Sequence, residues 1–399
     1  MRKLLPVAIL ACFSLSNTAI AAPKSVAIKE ISLLTSGIQS DGVTNSAGNV
    51  ITFTSTTSAT LDVSISATNL AGANVWNKVI DSGQNELATA VAVDAKSNIW
   101  LAGTSASSLA EVPQAVQSNP ANPDGVVVEN LPPMRRDMDQ ISIWQLSPTG
   151  DLISTYSYPL KESALITAFA VDAKGATIAG ARKSGAIVLS VNSAGVFGKL
   201  TSIGSTKTSI NAVVRNADGS VSAFGSSAET LGGKKLAGAV DGILLKVSKS
   251  GVLTSVIRSS APSAKRNWSS STPSLLLTGS VITSKTSESA ITKFTPAFAP
   301  TWTMRFASRG NSVAANGPSG RYFVALAPTS PISGLTSAKF LPGQGVVLGF
   351  DSKGTLVSGY TNVAMGEPLG IVYTSEGGVN VLTRDIAAQT LSIFHLDVK

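Results

Sequence analysis

Short turn signatures recur along the whole chain and set the unit from which it is built. In order they are Asn45-Ser46-Ala47-Gly48-Asn49, Asp94-Ala95-Lys96-Ser97-Asn98, Asp172-Ala173-Lys174-Gly175-Ala176, Asn216-Ala217-Asp218-Gly219-Ser220, Ser271-Thr272-Pro273-Ser274, Gly317-Pro318-Ser319-Gly320-Arg321 and Thr374-Ser375-Glu376-Gly377-Gly378. Measured between Gly48, Ser97, Gly175, Gly219, Pro273, Gly320 and Gly377, the steps are 49, 78, 44, 54, 47 and 57 residues. Each turn lies between two short runs rich in Ala, Val, Ile and Thr, such as Ala90-Val91-Ala92-Val93 before and Ile99 to Gly103 after. The runs are continuously apolar rather than alternating, as expected of strands covered on both faces.

A second turn family follows in most units: Leu70-Ala71-Gly72, Ser147-Pro148-Thr149-Gly150, Asn192-Ser193-Ala194-Gly195, Ser248-Lys249-Ser250-Gly251 and Asp351-Ser352-Lys353-Gly354. The fifth unit departs, with Thr295-Pro296-Ala297-Phe298-Ala299-Pro300. A polar residue followed at three by Gly suits a hairpin, because Gly takes the positive φ that other residues resist. Two hairpins per unit of about 50 residues give four-stranded antiparallel blades, and a chain of them gives a β-propeller. The last unit lacks its second turn, while Ser25 to Leu34 forms an orphan strand. The expectation is an all-β, seven-bladed propeller over residues 22–399, its N-terminal strand closing the last blade and removing exposed sheet edges.

Residues Trp76-Asn77-Lys78, Ala90-Val91-Ala92-Val93-Asp94 and Trp100-Leu101-Ala102-Gly103 resemble bacterial repeats of the seven-bladed β-propeller repeat type. Asp241 to Val247, followed by Gly251, resembles that family's next hairpin. The likeness covers about half the chain, is good in units two to four and degenerate in the others. It implies exported, often surface-associated proteins, mostly without assigned chemistry, and its motifs encode blades rather than catalysis.

Residues 1–21 read as an export signal: Arg2 and Lys3, an apolar stretch from Leu4 to Leu15, then Ala19-Ile20-Ala21 for cleavage. The stretch is shorter than the ~20 residues that span a bilayer, and no later segment qualifies. A lipoprotein reading at Cys12 fits less well, since Cys12 lies very early and apolar residues continue beyond it. Cleavage after Ala21 leaves no cysteine, so the exported chain relies on its core; a bacterial secreted or cell-envelope protein is expected. The net charge of +8 falls to +6 without Arg2 and Lys3. The basic residues are scattered, which gives nucleic-acid binding no support.

In a propeller, the loops between blades and those joining second to third strands share one face. The first-to-second turn interval measures the latter loop, and it swells to 53, 32 and 34 residues in units two, four and six, against 24, 20 and 25 in units one, three and five. Insertions at 106–138, 226–240 and 328–345 should therefore project together. They and the blade connections offer Arg135, Arg136, Lys234, Lys235, Lys265, Arg266 with Trp268, Glu86, Glu162, Lys207, Arg309 and Glu367. A ring of mixed charge with a basic bias could hold a protein, peptide or polysaccharide; equally, these are solvated loop charges. Trp76 and Trp302 occupy matching outer-strand places and read as blade-edge packing, with carbohydrate stacking as the other use.

Enzymatic chemistry finds few parts. His395 is the one histidine, so no His-based triad or metal cluster can be assembled. Asp94 and Asp172 open repeat turns, where Asp bonds local backbone. Nothing marks a pair among Glu86, Glu162 and Glu367, which a carboxylate-dependent glycoside hydrolase or lyase would need. There is no phosphate-binding Gly loop and no dense acidic Ca²⁺ loop, so no cofactor and no metal is expected. A non-enzymatic binding or scaffold protein is the leading reading. The hydrolase or lyase and a structural envelope protein are the alternatives.

Overall fold

The computed structural model describes residues 25–57, 60–108, 137–260, 262–336, 340–341 and 343–398. Two N-terminal strands, β1 (Val26–Glu30) and β2 (Ser32–Ile38), precede a run of four-stranded units. The first unit comprises β3 (Gly42–Ser46), β4 (Asn49–Thr57), β5 (Leu61–Thr68) and β6 (Asn74–Ile80). The second has β7 (Glu86–Val93), β8 (Ile99–Ser105), β9 (Gln140–Leu146) and β10 (Leu152–Pro159). The third has β11 (Ala164–Asp172), β12 (Gly175–Arg182), β13 (Gly185–Asn192) and β14 (Thr201–Ile203), and the fourth β15 (Thr208–Arg215), β16 (Val221–Ser227), β17 (Asp241–Val247) and β18 (Leu253–Ser259). Each is a separate antiparallel meander.

The following strands form one nine-stranded sheet. They are β19 (Lys265–Ser271), β20 (Leu276–Ile282), β21 (Ser287–Phe294), the long β22 (Pro300–Asn316), β23 (Tyr322–Pro328), the short β24 (Leu335–Thr336), β25 (Val346–Phe350) and β26 (Leu356–Thr361), with β1 on the far side. The first half of β22 pairs with β21 and its second half, from Ser308, with β23. The last sheet holds β27 (Glu367–Thr374), β28 (Gly378–Arg384), β29 (Leu391–Leu396) and β2. The leading strands pack side by side in a circuit β3, β7, β11, β15, β19, β22, β27 and back to β3. Around their midpoints lies an axial cavity of about 280 Å³.

The repeated turns work as their residue types dictate. Asp94 Oδ1 accepts the backbone N–H groups of Lys96 and Asn98, and its other oxygen accepts from Trp100 Nε1 at 3.0 Å. Asn192 and Asp351 each accept the N–H groups two and four residues on. In the fifth unit Thr295 plays the same part toward Ala299, and Phe298 takes the positive φ of 62° where its counterparts have Gly. Phe298 buries its ring edge-on against Phe224, with centroids 5.6 Å apart, which offsets the backbone strain. Trp76 and Trp302 sit at blade edges: a Cβ on Gly150 or Gly354, in the next unit's second turn, would press into the Trp76 or Trp302 ring.

A second recurring device explains the Gly in Leu101-Ala102-Gly103 and its counterparts. Each of β7, β11, β15 and β19 carries a β-bulge near its middle. The bulge pushes a carbonyl against the partner strand where Gly103, Gly180, Gly225 and Gly279 stand; a Cβ there would collide with the oxygen of Leu87, Leu165, Ser209 and Asn267 respectively. The bulged side chains then reach the next unit. Thr89 donates to the Ile166 carbonyl (2.8 Å), Thr167 to Ile210 (2.5 Å), Asn211 to Trp268 (3.3 Å) and Ser269 to Ser312 (3.0 Å).

The N-terminal segment differs from the single strand expected over Ser25 to Leu34. It divides at Ile31, which is fully buried between the last two sheets beside Phe323, Val347, Met365 and Phe394. The N–H of Ile31 donates to the Thr361 carbonyl and its own carbonyl accepts from Asn362 Nδ2. Before Ile31, β1 runs parallel to β26 and touches β24. After it, β2 pairs antiparallel with β29 as far as Ile38. The closing strand is therefore Ser32–Ile38, and the preceding residues reinforce the neighbouring sheet.

Candidate functional site

The longest insertion is rooted in the second sheet, and beside its root lies a cleft of about 470 Å³ between the first two units. Strand β6 and the connection to β7 form one wall; β8, β9 and β10 form the other. Period-two alternation turns Ser105, Ser142 and Ser157 toward one another across three strands, with Ser105–Ser142 at 2.6 Å and Ser142–Ser157 at 3.4 Å. Gln140, Thr155 and Ser107 extend this polar lining above Trp144 and Leu146. Asp139 accepts from the N–H and hydroxyl of Ser107, fixing the point from which the insertion departs. At the other end Lys78 pairs with Asp151 at 2.9 Å.

Glu86 lines this cleft yet is only 1% exposed. One carboxylate oxygen is held by the N–H and hydroxyl of Ser82. Burial, reinforced by the negative charges of Asp62 and Asp81, pushes its carboxyl above the usual range despite those Ser82 bonds. Asn85 ties the same corner together: its oxygen accepts the N–H of Leu61, and its amide donates to Asp137 at the far root of the insertion.

The remaining sequence-derived candidates are dispersed. Arg135 and Arg136 lie outside the described residues. Glu162 is engaged by Arg182 at 3.5 Å and by the Ser184 hydroxyl. Glu367 opens β27 and sits against Gly310, where the positive φ and lack of a Cβ leave room for its carboxylate. Glu86 and Glu367 open β7 and β27 while Glu162 lies just before β11, so the three stand at different sheets, each with its own local surroundings. Lys207 is exposed. Lys234 and Lys235 are exposed at the outer edge of the fourth sheet, because Arg258 on β18 binds the carbonyls of Glu229 and Lys234 and pairs with buried Asp241 at 3.2 Å. The insertion is thereby folded back onto its own blade.

Lys265, Arg266 and Trp268 belong to β19 rather than to a loop. Lys265 is exposed, whereas Trp268 is fully buried and meets Phe294 edge-on at 5.6 Å. Arg266 is 9% exposed, its guanidinium 4.5 Å from the Trp268 ring centre. Burial, with Arg305 nearby, lowers its pKa to about 10. Trp268 is thus a core residue and presents no stacking surface.

A second, smaller cleft of about 360 Å³ opens where β22, the end of the third insertion and the approach to β27 meet. Arg309 lies beneath it with its Nε buried and without a hydrogen-bond partner among the described residues. Val363, Leu341 and Ile386 stand exposed around it. Sequence reading named Arg309 but not this apolar rim, whose residues come from three separate loops. His395 lies in β29, 3.1 Å from the Asn380 side-chain oxygen, as a packed strand residue.

No family model and no curated protein matches the chain. Among solved structures it is similar to BBS1N, determined in complex with ARL6DN, at 12% identity over 94% of this chain and 98% of that one, with a TM-score of 0.50. It is also similar to the β-propeller domain of the Trilobed protease from Pyrococcus furiosus (11% identity, 94% and 97% covered, TM-score 0.47). The Dos1 propeller is a third such structure (8% identity, 92% and 81% covered, TM-score 0.46). The circuit of antiparallel four-stranded units and the fold shared with the first of these define a β-propeller. No helix among the described residues is long and apolar enough to cross a membrane.

Proposed function

We propose that the chain is an exported, seven-bladed β-propeller that acts as a binding or scaffold protein. The seven-blade count is supported by dividing the nine-stranded sheet within β22, where the strand leaves β21 and joins β23. Counted this way, the circuit of leading strands runs through seven units. Export is supported by residues 1–21, and N-terminal sequencing of the protein recovered from its native host tests it: a mature start near Ala22 is expected. The likeness to the seven-bladed β-propeller repeat proteins stays part of this proposal and rests on the residues quoted for it.

The observation that carries the binding reading is the hydroxyl- and amide-lined cleft at the root of the longest insertion. Rows of Ser and Thr hydroxyls, flanked by Glu86, Asp81 and the Lys78–Asp151 pair, suit an extended polar ligand, a peptide segment or a polysaccharide, better than a small apolar one. Binding to a partner protein is also how the similar BBS1N was captured. Peptide and glycan arrays probed with the purified chain supply the test, repeated with Ser107→Trp, which places a bulky ring at the exposed rim. Ligands retained equally by both proteins would reject this cleft. Product analysis on the same glycans distinguishes binding from the hydrolase or lyase alternative.

A further inference from the structure

We propose that Asp62, Asp81 and Glu86 form a binding site for one divalent cation, with calcium preferred. The three residues come from the start of β5, the residue directly after β6 and the start of β7, yet one carboxylate oxygen from each lies within 4.8 Å of the others. Calcium accepts several protein carboxylates in a flexible shell, whereas magnesium gives up its water reluctantly and is seldom held by protein carboxylates alone, which favours calcium here. The donor set is all oxygen and carries up to three negative charges, the chemistry of a hard cation.

A second observation points to a ligand independently of the clustering. Glu86 is 1% exposed, and its Oε2 is buried without a hydrogen-bond partner among the described residues, although Oε1 is fully engaged by Ser82. A buried carboxylate oxygen left bare is costly unless something coordinates it. Asp62 is also buried, so water screens two of the three like charges poorly. Asp81 is exposed and gives a bound ion a route to solvent. The connection is shaped around this point: Asp81 accepts the N–H of Gly83 at 2.7 Å, and Asp62 accepts from the Thr60 hydroxyl at 2.6 Å. Through Asn85, the same corner holds the root of the long insertion. The ion would tie the first unit, the second unit and that insertion together.

This inference does not depend on the ligand proposed for the cleft. Its test is calorimetric titration of the EDTA-treated protein with CaCl₂ and then MgCl₂, alongside thermal unfolding with and without each ion. One saturable calcium site per chain and a raised Tm are expected, with magnesium at least tenfold weaker. Asp81→Asn and Glu86→Gln should each weaken calcium binding tenfold or more and abolish the Tm increase. Asp218→Asn, in a remote turn, should leave both intact. Asp81 is exposed, so that variant keeps the test open should Glu86→Gln fold poorly. Absence of calcium binding, or binding unchanged in Asp81→Asn, overturns the site; equal affinity for magnesium overturns the calcium preference.

Discussion

Replacing Ile31 by Ala probes ring closure at the residue where the chain passes from one sheet to the next. Its side chain is fully buried against Phe323, Val347, Met365 and Phe394, which belong to separate strands already fixed by their own ladders. Those neighbours cannot close over the missing carbons, so a value inside the 2–5 kcal/mol range of Ile→Ala changes, about 3.5 kcal/mol, is expected. With unfolding entropy of ~2 cal/mol/K per residue over roughly 370 residues, this lowers Tm by about 4–5 °C. Leu33, two positions on, is 46% exposed, and Leu33→Ala should cost less than about 1 kcal/mol. Two nested truncations extend the comparison. Removing residues 25–30 deletes β1, a parallel edge strand, and should lower Tm by only a few degrees. Removing residues 25–38 also deletes β2 and leaves β29 paired only with β28, exposing Phe394 and Ile393. That loss is comparable with the ~5–15 kcal/mol holding a whole domain, and no cooperative unfolding transition should survive. Thermal and urea unfolding followed by circular dichroism read all four proteins. Equal melting of the longer truncation and the parent, or Ile31→Ala indistinguishable from Leu33→Ala, would refute closure through β2.

Gly225→Ala should destabilise by at least about 3 kcal/mol in urea unfolding, because its Cβ meets the Ser209 backbone carbonyl rather than a movable side chain; an effect below about 1 kcal/mol would mean the bulge is not rigid. Phe298→Gly relieves a positive φ but removes a buried ring, for a net loss of about 2–3 kcal/mol. Ser97→Gly, at φ 63° with no buried side chain, should instead gain about 0.5 kcal/mol, and loss in both or gain in both would contradict the strain argument. His395 is held below its ordinary value of ~6.5 by burial, opposed by Asp397. The unfolded chain therefore binds the extra proton first, so this stability is complete above pH ~6.5 and is lost as pH falls through the lowered value of the folded chain. As no other histidine titrates there, His395→Gln should flatten the Tm profile between pH 7 and 5; an unchanged slope would assign it elsewhere.

The propeller was legible because its signals are local. A polar residue accepting N–H groups two and four places on, then a residue at positive φ, marks a hairpin wherever it recurs, and Asp94, Asn192 and Asp351 do this by the same bonds. The division at Ile31 was not legible, since Ser25 to Leu34 read as one continuous strand and only the Thr361 and Asn362 contacts separate two partners. Arg266 and Trp268 carried a usable signal in their i,i+2 spacing, which puts both on one face of a strand. The sequence does not say that this face is the inner one. The position of Lys234 and Lys235 follows from Arg258, more than twenty residues away. Asp62, Asp81 and Glu86 form no contiguous motif; the β5–β6 hairpin and its connection to β7 bring them together, which is why a linear search for a calcium loop passes over them.

The bulges give the repeat a logic that neither turns nor apolar runs supply. Within a unit, a bulge on the leading strand demands Gly on its partner. Between units, the bulged Thr, Asn or Ser supplies a hydrogen bond to the next unit's carbonyl. One irregularity therefore fixes both internal register and neighbour spacing, and it links five consecutive units from β7 to β22. The sector that completes the circle is built differently. Leu369 occupies the bulge of β27, and apolar Val43, Val313 and Ile371 line the axis there. At the other end of these strands Asn45 takes over, donating to Gly378 and accepting from Asn380 across the meeting of first and last units. Side-chain-to-carbonyl links suit units that follow one another in sequence, because the chain itself brings such neighbours together. The junction between chain ends has no such tether. It is held by a strand borrowed through Ile31, by apolar packing and by a buried amide pair, interactions whose full worth is realised only once the ring is complete.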